Sequence, residues 1–337
     1  MSVIALLKVF IQNRWTPMRM KLPVVVVLPG IYGFLPIASN PATAQWAETS
    51  AAQWAGTGGT PPPTPELAAA GDVKSVVFKW MWYMGMLRNW QELDHVAMFE
   101  LRKSTGTIRV AGQPCELENY RASINYQVSG MRAQYECTLP NGPHSGIEVV
   151  SGQIRGEPNT SASTGQWPGG MFAGTSEDIF AWDSDVIGAG LVDGQGTATP
   201  NWEARNERLI RLWAGPWGAP KAAAADPDAT VVMEEGKPVV TFAIPFVQGA
   251  TAQATLNSNN QAERIEVRLG NVVTEFIYEN YADYNPADDQ IMGYTPGHIV
   301  EKRDGVTVLD ITVAETHVGN LYVVVPVPDS VRNASSQ

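Results

Sequence analysis

The chain has 337 residues, 44% hydrophobic and 17% charged, a globular composition that excludes a largely disordered chain. Its formal net charge of −11 excludes nucleic acid and anionic lipid surfaces as electrostatic partners.

The N-terminus reads as an export signal. Arg19 and Lys21 form a basic start. Leu22 to Leu28 and Ile31 to Leu35 form an apolar stretch interrupted by Pro29 and Gly30. Ala42-Thr43-Ala44 supplies the small-residue pattern that signal peptidase requires. The expectation is a signal peptide over 1–44 with cleavage after Ala44, and Met18 or Met20 as alternative starts. The apolar stretch is too short and too broken for a membrane span, so no stable membrane insertion is expected after cleavage. Cleavage leaves 19 basic residues against 34 acidic ones, a net charge of −15. The address this implies is the periplasm of a Gram-negative-type bacterium. Cys115 and Cys137 are then a disulfide candidate in an oxidising compartment, with two buried thiols as the alternative.

Residues 45–65 end in Thr60-Pro61-Pro62-Pro63-Thr64-Pro65 and read as a linker or arm carrying Trp46 and Trp54. A single domain is expected over 66–330. Its first marked feature is a helix near 75–91. Val77, Trp80, Met81, Met84 and Leu87 share one helical face, and Phe78, Trp82, Met86 and Trp90 share another. A helix apolar on both faces needs a layer on each side. Aromatic and methionine side chains offer adaptable apolar contact, so Trp80, Trp82, Met84, Met86, Trp90 and, further along, Trp213 are the candidate ligand-binding residues. The competing reading is that this helix is core.

Alternation then begins. Strands are expected over Val96–Arg102, Thr107–Ala111, Tyr120–Gln127, Arg132–Thr138 and Ile147–Val150, with turns at Gly106, Ser129-Gly130 and Asn141-Gly142. Residues 152–200 read as a long loop of functional or mobile character. A helix follows over 200–225, interrupted at Pro216 and Pro220. The last third reads as strands over Val231–Glu234, Pro238–Pro245, Thr251–Leu256, Arg264–Leu269, Val272–Tyr281, His298–Lys302, Val306–Ala314 and Leu321–Val325. Consecutive strands with tight turns mean an antiparallel sheet.

Several blocks together resemble a known family. Asn206-Glu207-Arg208-Leu209-Ile210-Arg211-Leu212-Trp213 with Pro216, Gly218 and Lys221-Ala222-Ala223 is similar to the helix of an uncharacterised periplasmic domain. That domain precedes the catalytic domain of metallo-β-lactamase-fold hydrolases in proteobacteria. Ala262 to Arg268, Asn271-Val272-Val273 and Tyr281 to Tyr284 resemble its central hairpin. His298 to Lys302, Val308 to Val313 and Val325 to Asp329 resemble its final strands. The resemblance covers roughly residues 200–330. It implies a mainly β, α+β fold: a strongly curved antiparallel sheet or half-barrel with a few helices on its concave side, similar to the lipoprotein-carrier fold. It implies an apolar small molecule or lipid as partner, held between sheet and helices, with another periplasmic protein as a further partner. The His-x-His-x-Asp-His motif of the hydrolase is absent, so the resemblance implies no hydrolase activity.

No complete catalytic or cofactor motif is present, and no cofactor is expected. His95, His144, His298 and His317 lack zinc-like spacing. Asp94-His95, with Glu100, is the acid/base candidate for an enzymatic alternative. Asp283, Asp288 and Asp289, and separately Asp183 and Asp185, are acidic clusters without EF-hand spacing, more readily solvated loops than calcium sites. The expectation is a non-catalytic binding protein, with an interaction module acting through residues 152–200 as a third reading.

Overall fold

The computed structural model describes residues 72–87, 96–153, 178–184, 198–286, 293–318, 323 and 325–334. The signal segment, the linker, Trp90, Asp94, His95, Asp185, Asp288 and Asp289 lie outside the described residues. Everything described belongs to the unit Pro62–Gln337.

Two antiparallel meanders build one sheet. The first runs β1 Met98–Val110, β2 Gln113–Asn125, β3 Gly130–Leu139, β4 Gly142–Gln153, β5 Asp178–Ser184 and β6 Ala198–Pro200. The second runs β7 Thr230–Glu234, β8 Lys237–Ala243, β9 Thr251–Leu256, β10 Ala262–Leu269, β11 Val272–Asp283, β12 Tyr294–Arg303, β13 Val306–Thr312 and β14 Glu315–Val318. The strand order is β6-β5-β4-β3-β2-β1-β13-β12-β11-β10-β9-β8-β7, with β14 also paired to β1. The meanders join where Thr105–Ile108 of β1 meet Leu309–Thr312 of β13.

Two helices, α2 Arg205–Trp213 and α3 Gly218–Ala225, connect β6 at one edge of this sheet to β7 at the other. The connection must therefore cross a sheet face. A third helix, α1 Val73–Tyr83, packs against α3, β7 and β8. Side chains facing these helices, including Phe99, Ile124, Ala133, Phe242, Ala254, Ile265, Tyr278 and Ile299, form the main core.

The sheet is strongly curved, and Arg211 of α2 measures the curvature. Its Nε donates to Glu301 of β12 at 2.6 Å and its Nη1 to Glu148 of β4 at 2.9 Å. Along the sheet β4 and β12 are five strand spacings apart, about 24 Å at the usual separation. Two glutamate side chains and one guanidinium fall far short of that on a flat sheet. The sheet must curl so that both carboxylates converge beneath the helix. The architecture is the open half-barrel with helices inside that the sequence led us to expect.

A second, smaller core lies on the opposite face. Ile147 and Val149 alternate with the concave residues Glu148 and Val150. They pack with Phe180, Trp182, Met98, Val323, Val325, Val327 and Val331. Asn125 Nδ2 donates to the Val323 carbonyl at 3.1 Å and Ser151 Oγ to the Val325 carbonyl at 2.7 Å. The C-terminal segment, ending in α4 Asp329–Ala334, thus straps the back of the first meander.

Several expectations need correction. The helix expected to reach residue 91 stops at Tyr83. Gly85 takes φ 78°, the Gly85 N–H bonds the Trp82 carbonyl at 2.9 Å, and the Met86 N–H bonds the Met81 carbonyl at 3.0 Å. This is a Schellman C-cap, for which a glycine in the left-handed region is the usual residue. Gly106 is not a turn. It lies inside a continuous β1, and a Cβ there would sit 2.0 Å from the Asp310 carbonyl oxygen, so the close strand approach requires glycine. The turn falls instead at Ala111-Gly112. Residues 152–200 contain β5 and β6 rather than loop alone. The helix of 200–225 breaks at Gly215-Pro216, whereas Pro220 sits in the first turn of α3, where its missing N–H costs nothing. Val323 and Val325 are not strand residues; their carbonyls are met by side chains.

The disulfide forms. Cys115 of β2 and Cys137 of β3 are bridged on the concave face, with Cα atoms 5.6 Å apart and a sequence separation of 22. A loop of this length gives about 3 kcal/mol from restricting the unfolded chain. The Cys115→Ala/Cys137→Ala variant should therefore show a lower urea midpoint with that loss, and an unchanged midpoint would contradict it.

Candidate functional site

The candidate site is the layer between the three helices and the concave sheet. α1 starts at Asp72, whose carboxylate accepts from the Lys74 N–H at 3.3 Å and the Ser75 hydroxyl at 2.7 Å. Its buried face is Val76, Val77, Trp80 and Met81. Phe78 and Trp82 on the other side are half-buried and stack at 6.3 Å between centroids. The helix therefore has one fully buried face and one half-buried face. Met86 is fully buried but beyond the helix, in the chain that follows Gly85. The Met84 carbonyl accepts from the Tyr294 N–H at 3.2 Å, which ties this exit to β12.

Each helical element sets one tryptophan against an aromatic ring outside the helices. Trp80 of α1 meets Phe242 of β8 edge-on at 6.5 Å. Trp213 of α2 meets Tyr126, just after β2, at 5.7 Å. Trp217, in the α2–α3 corner, meets Phe99 of β1 at 5.8 Å. The corner is tight: a Cβ on Gly218 would lie 2.2 Å from the Leu212 carbonyl oxygen. Trp80, Met84, Met86 and Trp213, all expected from sequence, are fully buried in this one cluster, and Trp82 packs against it. Phe99, Tyr126, Trp217, Phe242 and Lys221 belong to the same layer and were not singled out. Trp217 followed a Gly-Pro break, and Lys221 stood in an alanine run, so neither carried a local signal.

Polar groups within the layer are few. Trp217 Nε1 donates to Thr295 Oγ1 at 3.3 Å, and the Tyr278 hydroxyl donates to the Ala214 carbonyl at 2.7 Å. Trp80 Nε1 is buried with no hydrogen-bond partner among the described residues. Lys221 is fully buried, with Nζ 5.1 Å from the Tyr126 ring centroid. Burial pushes its amine well below the ordinary lysine range.

One end of the layer is charged. Arg211 lies between Glu301 and Glu148, and Arg303 pairs with Glu207 at 2.5 Å. Arg208 donates to the carbonyls of Val149 and Trp182 at 3.0 and 2.8 Å and pairs with Asp183. Burial beside these carboxylates pushes the Tyr120 and Tyr135 hydroxyls up to about 12. Asp183 is thus an anchor for α2.

The other chemical candidates lie elsewhere. Glu100 is fully buried on the back face, held by Arg102, by Arg121 at 2.6 Å and by the Ser123 hydroxyl at 2.9 Å. All of its acceptor capacity is directed at structural partners. His144 faces the Tyr135 ring at 6.0 Å in β4. His317 contacts Glu315 at 2.9 Å. Asp283 accepts from the Asn285 N–H at 3.0 Å and closes a turn. Among the described residues no group of three or more His, Cys, Asp or Glu side chains is placed to hold a metal ion.

His298 bridges two carboxylates on the back of β11–β13, with Nδ1 2.9 Å from Glu279 and Nε2 2.8 Å from Asp310. Hydrogen bonds to Glu279 and then Asp310 raise its pKa above the ordinary 6.5. A raised folded value means the stabilisation is full below about pH 6.5 and fades as pH climbs through the raised value. Because the partners are exposed, the effect should stay under about 1 kcal/mol. Urea midpoints of wild type and His298→Gln measured from pH 6 to 9 should converge as pH rises; a gap that widened with pH would contradict the assignment.

No family model matches the chain, and no curated protein matches it in sequence. A solved structure described as a putative outer membrane lipoprotein-sorting protein domain from Vibrio parahaemolyticus is similar in arrangement. It has 6% sequence identity and a TM-score of 0.39, covering 79% of this chain and 99% of that one. The fold described above stands on this chain's own strand pairing and helix contacts.

Proposed function

We propose that this protein is an exported, non-catalytic binding protein that holds a lipid-like or aromatic molecule between its curved sheet and its helices. The observation that carries the reading is the Trp80 indole N–H, buried in an apolar, aromatic and methionine-lined layer without an acceptor among the described residues. Leaving such a donor unmet costs about 1–3 kcal/mol, a cost that a layer serving only as packing avoids with phenylalanine or leucine. A bound molecule with an oxygen acceptor removes the cost. The aromatic faces and methionines around it offer contacts that adapt to chain or ring. The periplasm is the compartment that suits the export signal and the Cys115–Cys137 bridge. No described helix is long and apolar enough to cross a membrane.

The test is a titration of the delipidated chain with a neutral apolar fluorophore, read by energy transfer from the buried tryptophans. Saturable binding near one equivalent, displaced by long-chain lipids, is the expected outcome. Linear, unsaturable partitioning would defeat the reading.

A further inference from the structure

The two ends of the sheet are finished differently. β6 is three residues long, closes on Pro200 and lies against α4, so it offers little to a further strand. β7, Thr230–Glu234, stands at the other end, pairs β8 without a register shift and has no strand beyond it among the described residues. A two-residue turn joins β7 to β8, with Glu235 at φ 50° and Gly236 at φ 80°, so Glu234 and Lys237 form the hydrogen-bonded pair that closes it. Alternation along the ladder directs the backbone groups of Val232 and Thr230 to β8 as well. The N–H and C=O groups of Val231 and Met233 therefore point to the open edge, and no backbone group among the described residues meets them. Pro238 stands opposite Met233, where this pattern asks no N–H of it. The edge lacks the lysine, proline or bulge that ordinarily blunts one. It is apolar as well. Val232 and Met233, 51% and 47% exposed, are the only adjacent pair among the exposed large apolar side chains of the described residues.

We propose that β7 is a docking edge that takes an added strand from a partner protein, an extended segment with apolar residues at its centre and lysine or arginine toward both ends. The backbone supplies the pairing through the outward N–H and C=O groups of Val231 and Met233. Charge selects the occupant. Asp228 precedes the strand, Glu234 ends it and Glu235 follows, all three exposed. None of them makes an ion pair among the described residues, and the nearby Lys237 is held by Glu263 at 2.6 Å. Acids thus bracket the apolar centre from both ends. A second copy of this chain fits poorly. Two-fold pairing over Val231–Met233 sets Val232 opposite Val232 and brings Glu234 and Glu235 of one copy beside Asp228 of the other at each end. A basic segment meets those same carboxylates with opposite charge. Strand addition at β7 is independent of whether the layer between sheet and helices holds a ligand.

The experiment titrates the purified full chain with labelled, capped peptides and reads fluorescence anisotropy. The first peptide has a Val-Thr-Val-Thr-Val centre with a pair of lysines at each end. It should bind saturably near one equivalent, and the counterpart with glutamates in place of the lysines should bind about tenfold or more weaker. Further versions of the lysine peptide carry N-methyl groups on alternate amides of the centre, one set or the other. Methylating the set that faces β7 removes its hydrogen bonds and should weaken binding about tenfold or more, whereas the other set should stay within about twofold. Met233→Pro loses no bond within the sheet, because the Met233 N–H points outward, and should weaken the lysine peptide likewise. The same loss from both methylated sets, or from neither, would overturn strand addition and leave only attraction between opposite charges. Equal binding of the lysine and glutamate peptides would overturn the choice of a basic partner. A dimer in sedimentation that Met233→Pro dissociates would assign the edge to a second copy instead. No saturable binding of the lysine peptide would overturn the docking edge altogether.

Discussion

Replacing Arg211 with methionine should destabilise the protein by about 3 kcal/mol, at the lower end of the range for breaking a buried ion pair from one side. Glu301 is almost fully buried, and Arg211 Nε is its partner at 2.6 Å. Removing the guanidinium leaves a carboxylate in the interior, with Arg303 at 3.6 Å as its remaining cation. That second contact keeps the loss from reaching the upper end. The double variant Arg211→Met/Glu301→Leu should recover most of the stability, because a buried pair replaced by apolar groups is often neutral. Urea midpoints of the two variants check this, and a double variant no better than the single would contradict it. The contact matters for shape as well as energy, since it closes the concave end by tying β4 and β12 to one helix.

The second large effect is expected at Trp217. Trp217→Ala removes a fully buried indole from the α2–α3 corner and leaves a cavity against Phe99, for a loss of about 3–5 kcal/mol. It also leaves Thr295, itself fully buried, without its donor. Trp80→Phe should behave differently. It removes a donor that has no acceptor among the described residues, so the loss of ring volume is offset and stability should change by less than about 1.5 kcal/mol. Thermal melts of the two variants separate a packing tryptophan from one whose polar edge faces the proposed ligand layer. Equal, large losses would remove Trp80 from that role.

Much of the sheet was legible because most of its strands have one face on the core. Tyr120, Ala122 and Ile124 alternate with polar neighbours, and the hairpins Gly270-Asn271 and Asp304-Gly305 announce themselves. β5 was not legible for a physical reason. Ile179, Phe180, Ala181 and Trp182 are buried on both faces, because the C-terminal segment covers the back of the sheet there. With both faces apolar, the period-two signal vanishes. The end of α1 was written in Gly85, but the apolar run through Trp90 outweighed it. The candidate site was legible in its tryptophans and methionines, since these residue types are unusual together. Its polar part was not. Glu148 and Glu301 lie far apart in sequence and meet only because the sheet curls, and nothing local in the alanine run marks Lys221 as buried.

The central claim is that the layer between sheet and helices holds a molecule. Native mass spectrometry of the protein purified from a periplasm, with organic extraction of the same sample, tests it most directly. The account predicts a co-purifying species of defined mass, extractable into organic solvent, at up to one equivalent. An apo mass alone, from protein that also fails to take up long-chain acids or neutral apolar probes afterwards, would contradict it.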